Sequence, residues 1–303
     1  MNKPVHGRYN KPLTGAFLGF ISMSFFACQD AVIKLLSSDY SLFQILFIRS
    51  GVIILPLFFI LLYRYGTTAF NTKKPFAHGL RVMFNFVAFL SYYFAISRLP
   101  LSQATAIAMS APLFMTALSG PLLGEHADFK RKVILAVGFC GVILIVQPDI
   151  ENTDWTGTIS VLFGAFMFAM LGIQTRKISS TESTELMVFL GAMTFFCVTG
   201  ISLGLGWVHW ISPTIDDWVL LLGVGIISFI AQFLIVHSYQ YAAVYVIAPF
   251  EYVTILWALV LGWMLFSEIP TQTMLAGSLI VVICGLIIVH FEHRQGPPGK
   301  IAH

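Results

Sequence analysis

The chain has 303 residues, 57% of them hydrophobic and only 10% charged, with a mean hydropathy of +0.85. Soluble proteins carry roughly 25% charged residues, so this composition cannot clothe a water-facing surface and excludes a soluble enzyme. A membrane helix takes about 20 mostly apolar residues, and ten of them leave only short loops and tails. No extramembrane core of useful size fits, which rules out a receptor ectodomain or a nucleotide-binding domain. The balance of 17 Lys+Arg against 14 Asp+Glu gives a formal charge of +3. In such a chain basic residues report orientation and not nucleic acid, and no nucleic-acid partner is expected.

In chain order, a basic tail (1–11) runs into an apolar stretch that is long for a signal peptide and has no small-residue cleavage site, so it is expected to be the first span. Ten spans are expected near 12–36, 42–63, 76–97, 101–123, 131–148, 155–175, 186–208, 217–239, 244–266 and 272–291, followed by a second tail, 292–303. Very short connections, such as Ser97 to Pro100, make consecutive helices antiparallel neighbours. Thirteen basic residues fall on one side: Lys3, Arg8, Lys11, Arg64, Lys73, Lys74, Lys130, Arg131, Lys132, Arg176, Lys177, Arg294 and Lys300. Only Arg98 falls on the other, beside acids such as Asp39, Asp149, Glu151, Asp154, Asp216 and Asp217. The positive-inside rule then puts both termini in the cytoplasm. Cys28, Cys140, Cys197 and Cys284 all lie in apolar runs and are expected to be buried, reduced packing residues.

The two halves repeat each other. FFACQDAVIKLLSS (25–38) lies over MFAMLGIQTRKISS (167–180), pairing Lys34 with Arg176. PLLGE (121–125) lies over MLFSE (264–268), and CGVILIV (140–146) over CGLIIV (284–289). Five spans per repeat means the second copy enters the membrane from the opposite face. Inverted repeats are the architecture of secondary transporters, with the substrate site at the repeat interface near the midplane. A duplication kept only as a scaffold is the plainer alternative.

The segments AISRLPLSQATAIAMSAPLF (95–114), LLGE (122–125) and SYQYAAVYVIAPFEYVTILWALVLGWMLFSEIP (238–270) resemble the drug/metabolite transporter superfamily with paired EamA domains. The resemblance runs from about 14 to 290 and implies an all-α integral membrane fold of two five-helix repeats, 12–148 and 155–291. It implies transport of a metabolite across the cell inner membrane. The APFEY stretch is similar to that of S-adenosylmethionine and riboflavin carriers of the superfamily, but the motif is poor at naming a cargo.

Ionisable groups deep in a bilayer are costly unless paired or solvated, so each is a functional candidate. Asp30 and Lys34 are one turn apart near the outer end of the first span and can pair on one face. With Arg49, which enters the second span at similar depth, they form either a structural cluster or a gate. Glu251, in APFEY about 10 Å from the cytoplasmic end, is the leading substrate-binding candidate and a candidate carrier of a coupling proton. A structural pair with Arg81 is the competing role. Asn85 and Gln232 either line a wet cavity or join helices, and His237, nearer the cytoplasmic end, is expected to be a structural contact, with a proton relay as the alternative. Among the aromatics Phe25, Phe26, Tyr92, Tyr93, Phe250, Tyr252 and Trp257, some can line a pocket for a planar ligand. Pro112 and Pro249 invite kinks. Glu125 and Glu268 are expected to cap the helix that follows each. The Gly15-to-Gly19 spacing permits close helix packing or a homodimer.

No G-x-x-x-x-G-K-[ST] loop is present, and no set of metal ligands or cofactor motif stands out. His290 and His293 lie near the interface without companion ligands. The expectation is a secondary transporter, not an enzyme, for a cationic or zwitterionic metabolite such as an amino acid or S-adenosylmethionine. The expected substrate-binding residues are Glu251, Tyr252, Asn85, Gln232, Arg81, Trp257 and Tyr92, and the expected gating residues Asp30, Lys34 and Arg49. A planar flavin-like cargo is the alternative, followed by an intramembrane enzyme or a channel.

Overall fold

The computed structural model describes residues 12–66, 70, 72, 74–123, 129–147, 153–178, 183–242 and 244–295. The expected tail 1–11 and residues 296–303 of the expected tail 292–303 lie outside the described residues, as does Glu125, while residues 292–295 continue the last helix and are not part of a tail. Every regular element among the described residues is a helix. In order they are α1 (Pro12–Leu36), α2 (Leu42–Tyr65), α3 (Pro75–Ile96), α4 (Leu101–Ala108), α5 (Ala111–Leu123), α6 (Phe129–Val146), α7 (Trp155–Ile178), α8 (Thr184–Gly204) and α9 (Ile215–Tyr241). The short α10 (Val244–Ile247) leads through a 3₁₀ turn, Ala248–Tyr252, into α11 (Val253–Phe266) and then α12 (Gln272–Gln295).

Nine helical stretches among the described residues are long and apolar enough to cross a membrane. The expected span 131–148 corresponds to α6, whose apolar part, Lys132–Val146, is shorter. Apolar surface all round a helix suits burial in lipid, and large side chains such as Leu55, Phe59, Val219, Trp263 and Leu279 point outward accordingly. Local chemistry sets the ends. Ser41, Ser183 and Thr214 accept from the backbone N–H of Gln44, Leu186 and Asp217, satisfying donors that a helix start leaves open.

Lipid supplies no hydrophobic drive between helices, so association rests on close packing. α1 packs along α9, α3 along α7, α2 along α8, α6 along α12, and α4 against α11. A β-carbon added at Gly277 would lie 2.6 Å from the Gly141 carbonyl oxygen, so α12 and α6 touch backbone to backbone. Gly15 and Gly19 serve the same purpose inside the chain, Gly15 against Ala242 and Gly19 against Ile247. Two spans are broken. The fourth parts at Met109–Ser110, just ahead of Pro112, and the ninth narrows to the 3₁₀ turn carrying Pro249. The cysteines are free thiols, but only Cys284 is buried. Cys140 and Cys197 are exposed on the outside of the bundle, where lipid accepts a small apolar thiol as readily as a core does.

Candidate functional site

The densest polar cluster lies where α1, α2, α3, α4 and α9 meet. Gln29 of α1 is its hub. Its amide nitrogen donates to Asp30 Oδ1 at 3.0 Å and to the Tyr93 hydroxyl at 2.9 Å. Its amide oxygen accepts from Arg49 Nη2 at 3.2 Å and from the Ser228 hydroxyl at 2.5 Å. Arg49 Nε donates to Ser228 Oγ at 2.8 Å, and the guanidinium sits 5.6 Å from the centre of the Tyr93 ring. The Tyr92 hydroxyl donates to Asp30 Oδ2 at 2.9 Å and lies 3.1 Å from Thr105 Oγ1. Gln29 and Arg49 each sit two helical turns in from the Lys34 end of the bundle, about 10 Å deep. Arg49 is 5% exposed, and holding a charge at such depth costs roughly 3 kcal/mol. Among the described residues no ion pair joins Asp30 to Arg49; an amide separates carboxylate from guanidinium. Opposite charges held near each other without cancelling suit a ligand that carries both.

Lys34 does not pair with Asp30, contrary to the spacing argument. Its ammonium reaches past the end of α1 to Glu268 Oε1 at 2.6 Å and to the Leu99 carbonyl at 2.5 Å. Asp30 is taken by Tyr92 and Gln29, so the same-face rule for an isolated helix yields to better partners across the bundle. Glu268 is also not the cap of the helix after it. Its Oε2 accepts from the Leu101 N–H at 2.7 Å, the first residue of α4. The chain folds back to allow this. Ser267 adopts a left-handed conformation (φ 54°), and the Glu268 N–H bonds to the Gly262 carbonyl at 3.0 Å. That is a helix end of the kind glycine usually makes.

The broken ninth span gathers three expected residues. Trp257 Nε1 donates to Ser24 Oγ on α1 at 2.9 Å. Tyr252 is buried against Gly285, and its hydroxyl has no hydrogen-bond partner among the described residues. Glu251 is half-buried, and among the described residues no ion pair or hydrogen bond engages its carboxylate. Arg81 is not its partner. Arg81 Nε donates to Thr175 Oγ1 at 3.0 Å and Nη1 to the Met187 carbonyl at 2.9 Å, tying α3 to α7 and α8. Asn85 faces Gly191 of α8. Gln232 lines a cleft between α2, α8 and α9, beside the Arg64–Glu185 ion pair at 2.8 Å and His237. His237 Nδ1 lies 2.9 Å from the Phe233 carbonyl one turn earlier.

The expected residues therefore divide among several places. Asp30, Arg49 and Tyr92 join the polar cluster; Glu251, Tyr252 and Trp257 line the broken span; Lys34 sits in the end contact. Arg81, Asn85 and Gln232 stand apart from all of these. Gln29, Tyr93, Thr105, Ser228 and the cross-chain role of Glu268 were not expected. Gln29 was accessible to sequence reasoning as an amide inside an apolar run. Hydroxyls such as Thr105 and Ser228 are too common in membrane helices to stand out.

Comparisons with known proteins agree with this architecture. A model of the EamA-like transporter family matches residues 13–147. The chain is 27% identical over 271 residues to the S-adenosylmethionine uptake transporter of Rickettsia bellii, covering 88% of this chain and 90% of that one. It is 25% identical over 272 residues to the pseudopaline exporter CntI of Pseudomonas aeruginosa, with 89% and 94% covered. It is 27% identical over 220 residues to the riboflavin transporter of Vibrio cholerae, with 72% of each covered. A solved crystal structure superposes with a TM-score of 0.63 at 14% identity, covering 96% of this chain and all of that one, which speaks for the fold alone. The chain is a multi-pass membrane protein that is similar to the EamA-like transporter family over residues 13–147 and, over most of its length, to transporters of small molecules.

Proposed function

We propose that this protein is a ten-span secondary carrier of a cationic or zwitterionic organic metabolite, of the class of amino acids and S-adenosylmethionine, working by alternating access in the inner membrane. It is built as two inverted halves, 12–148 and 155–291, with both termini in the cytoplasm. The helix packing supports the repeat. Exchanging the halves converts the α1–α9 contact into α7–α3, and maps α2–α8 and α6–α12 onto themselves. Both broken spans occupy the fourth position of their half, and carriers built from inverted repeats commonly form their binding site from such paired broken helices.

The observation that carries the cargo class is the Asp30–Gln29–Arg49 arrangement, a half-buried carboxylate and a buried guanidinium bridged by an amide. An ammonium finds Asp30 and a carboxylate finds Arg49 without either protein charge being left bare. Glu251 is a second carboxylate without a partner among the described residues, and serves the cargo's cation or a coupling proton. The relatives that carry S-adenosylmethionine, a cation with an amino-acid end, are compatible with this assignment.

The test is counterflow of labelled S-adenosylmethionine in proteoliposomes. Saturable exchange, competed by neutral amino acids and abolished in Asp30→Asn and Arg49→Gln, is expected. Exchange of riboflavin that ignores both substitutions would replace this cargo with the flavin class. A proton role for Glu251 predicts accumulation driven by a pH gradient in the parent and exchange alone in Glu251→Gln.

A further inference from the structure

At the Lys34 end of the bundle a cavity of about 170 Å³ opens between the α3–α4 and α11–α12 turns. Its walls include Ser102, Gln103, Gln147, Glu268, Thr271 and Met274. The chemistry of these walls is dominated by acceptors. The amide nitrogen of Gln103 donates to the Ile145 carbonyl, and that of Gln147 to Thr271 Oγ1, which fixes both amides in place. Their amide oxygens receive no donor among the described residues. Glu268 supplies a full negative charge, and Lys34 already offers it a primary ammonium at 2.6 Å. The two side chains are only 14% and 15% exposed, so this pair is not a loose surface contact of negligible consequence.

We propose that this cavity is a binding site for a primary ammonium group, and that an ammonium bound there replaces Lys34 on Glu268 and frees the end of α1. The inference rests on the cationic or zwitterionic cargo proposed above. It adds a first contact at the mouth of the bundle, about 10 Å above the Asp30–Gln29–Arg49 cluster. The exchange is one ammonium for another, so the Glu268 carboxylate is never left half-buried and unpaired, the state that makes breaking such pairs costly. Lys34 keeps the Leu99 carbonyl as a partner and has a long stem that lets its head turn to water. Glu268 Oε2 stays on the Leu101 N–H throughout, so α4 remains capped while α1 is released. The foldback at Ser267 and the bare α-carbon of Gly262, where a β-carbon would meet Glu268 Oε2 at 2.8 Å, hold the carboxylate at this spot.

The test uses a variant with its cysteines removed and Ala108→Cys introduced in full-length protein in vesicles. Ala108 is buried at the inner end of α4, beneath the latch. Labelling with a membrane-impermeant thiol reagent is followed from each side separately, with ethylammonium, tetramethylammonium or sodium chloride at equal ionic strength. Ethylammonium is expected to speed labelling several-fold from the Lys34 side, while the other two salts leave it slow. Glu268→Gln, which keeps an oxygen to cap α4, is expected to label fast with no salt and to ignore ethylammonium. Lys34→Gln, a second variant that leaves Glu268 intact, is expected to label fast and still be stabilised thermally by ethylammonium. Equal acceleration by all three salts would mean screening alone and would overturn the site. Slow labelling in both variants would overturn the latch. Because ethylammonium is not the cargo, a response to it stands even where counterflow of S-adenosylmethionine fails, and a silent cavity beside working counterflow sinks this inference alone.

Discussion

Replacing Tyr252 by Phe should stabilise this protein, the reverse of what removing a buried polar group usually does. The Tyr252 hydroxyl is buried and has no hydrogen-bond partner among the described residues. An unsatisfied buried donor costs about 1–3 kcal/mol, whereas a made hydrogen bond contributes only about 1. Deleting the oxygen leaves the ring in place and relieves that cost, for a gain of about 1 kcal/mol. The neighbour fixes the geometry. A β-carbon at Gly285 would fall 1.5 Å from the hydroxyl oxygen and 2.5 Å from the ring carbon bearing it. Gly285→Ala therefore forces the ring aside and should cost about 1–3 kcal/mol. The double variant should recover only part of this, since the ring carbon remains too close, and the part recovered beyond the gain of Tyr252→Phe alone is the coupling energy of the cycle. Reversible unfolding in mixed micelles, with the midpoint taken for parent, both single variants and the double, supplies the four values. A loss of 1 kcal/mol or more in Tyr252→Phe would show the hydroxyl to be bonded and refute the argument. If the hydroxyl is reserved for cargo, the same variant gains stability and loses affinity, the exchange expected of a binding residue.

Three further outcomes follow from packing and charge. Gly277→Ala pushes a β-carbon to 2.6 Å from a backbone oxygen and should destabilise by about 1–3 kcal/mol. Gly223→Ala in α9 meets nothing within 4 Å and should be neutral or stabilising by up to about 1 kcal/mol; equal losses at the two sites in thermal unfolding would contradict the α6–α12 contact. Arg49→Lys cannot reproduce the fork that reaches both Ser228 and Gln29. It should lower stability by about 2 kcal/mol, and an unchanged unfolding midpoint would show that the cluster does not hold α1, α2 and α9 together. At the start of α7 the Thr156 hydroxyl, the Gly157 N–H and Arg98 hold the Asp154 carboxyl down, from 3.8 to about 2. A depressed carboxylate contributes stability that is fully present above its unfolded value and is lost as pH falls through the folded one. Unfolding temperature should thus carry a full, pH-independent contribution from this group between pH 8 and 5 and a decline below pH 4 that Asp154→Asn lacks.

The placement of helices along the chain was legible in this sequence because it is a matter of counting apolar runs. The apolar runs gave spans whose ends agree with most helices to within a few residues. The break in the fourth and ninth spans was legible through Pro112 and Pro249, because proline removes a donor wherever the chain later goes. Position around the helix axis was not legible in the same way. Ser228 and Gln232 are one turn apart on α9, yet Ser228 meets Gln29 and Arg49 while Gln232 lines the cleft beside Arg64. Arg81 and Glu251 share an expected depth, and still Arg81 binds Thr175 and Met187 on other helices.

The misassigned charges fail for a related reason. Pairing Asp30 with Lys34, or giving Glu268 to the next helix, assumes that the nearest partner in sequence is the nearest in space. A side chain at a helix end escapes that assumption, since it can reach a loop that the rest of the helix cannot. Lys34 and Glu268 do so from opposite halves of the chain, and they meet at the start of α4. Residues in mid-helix have no such freedom, and there the cluster forms from side chains that project directly at their neighbours. The polar cluster is therefore suited to fixed recognition, and the Lys34–Glu268 contact, made by one long side chain and one folded-back turn, to being made and broken.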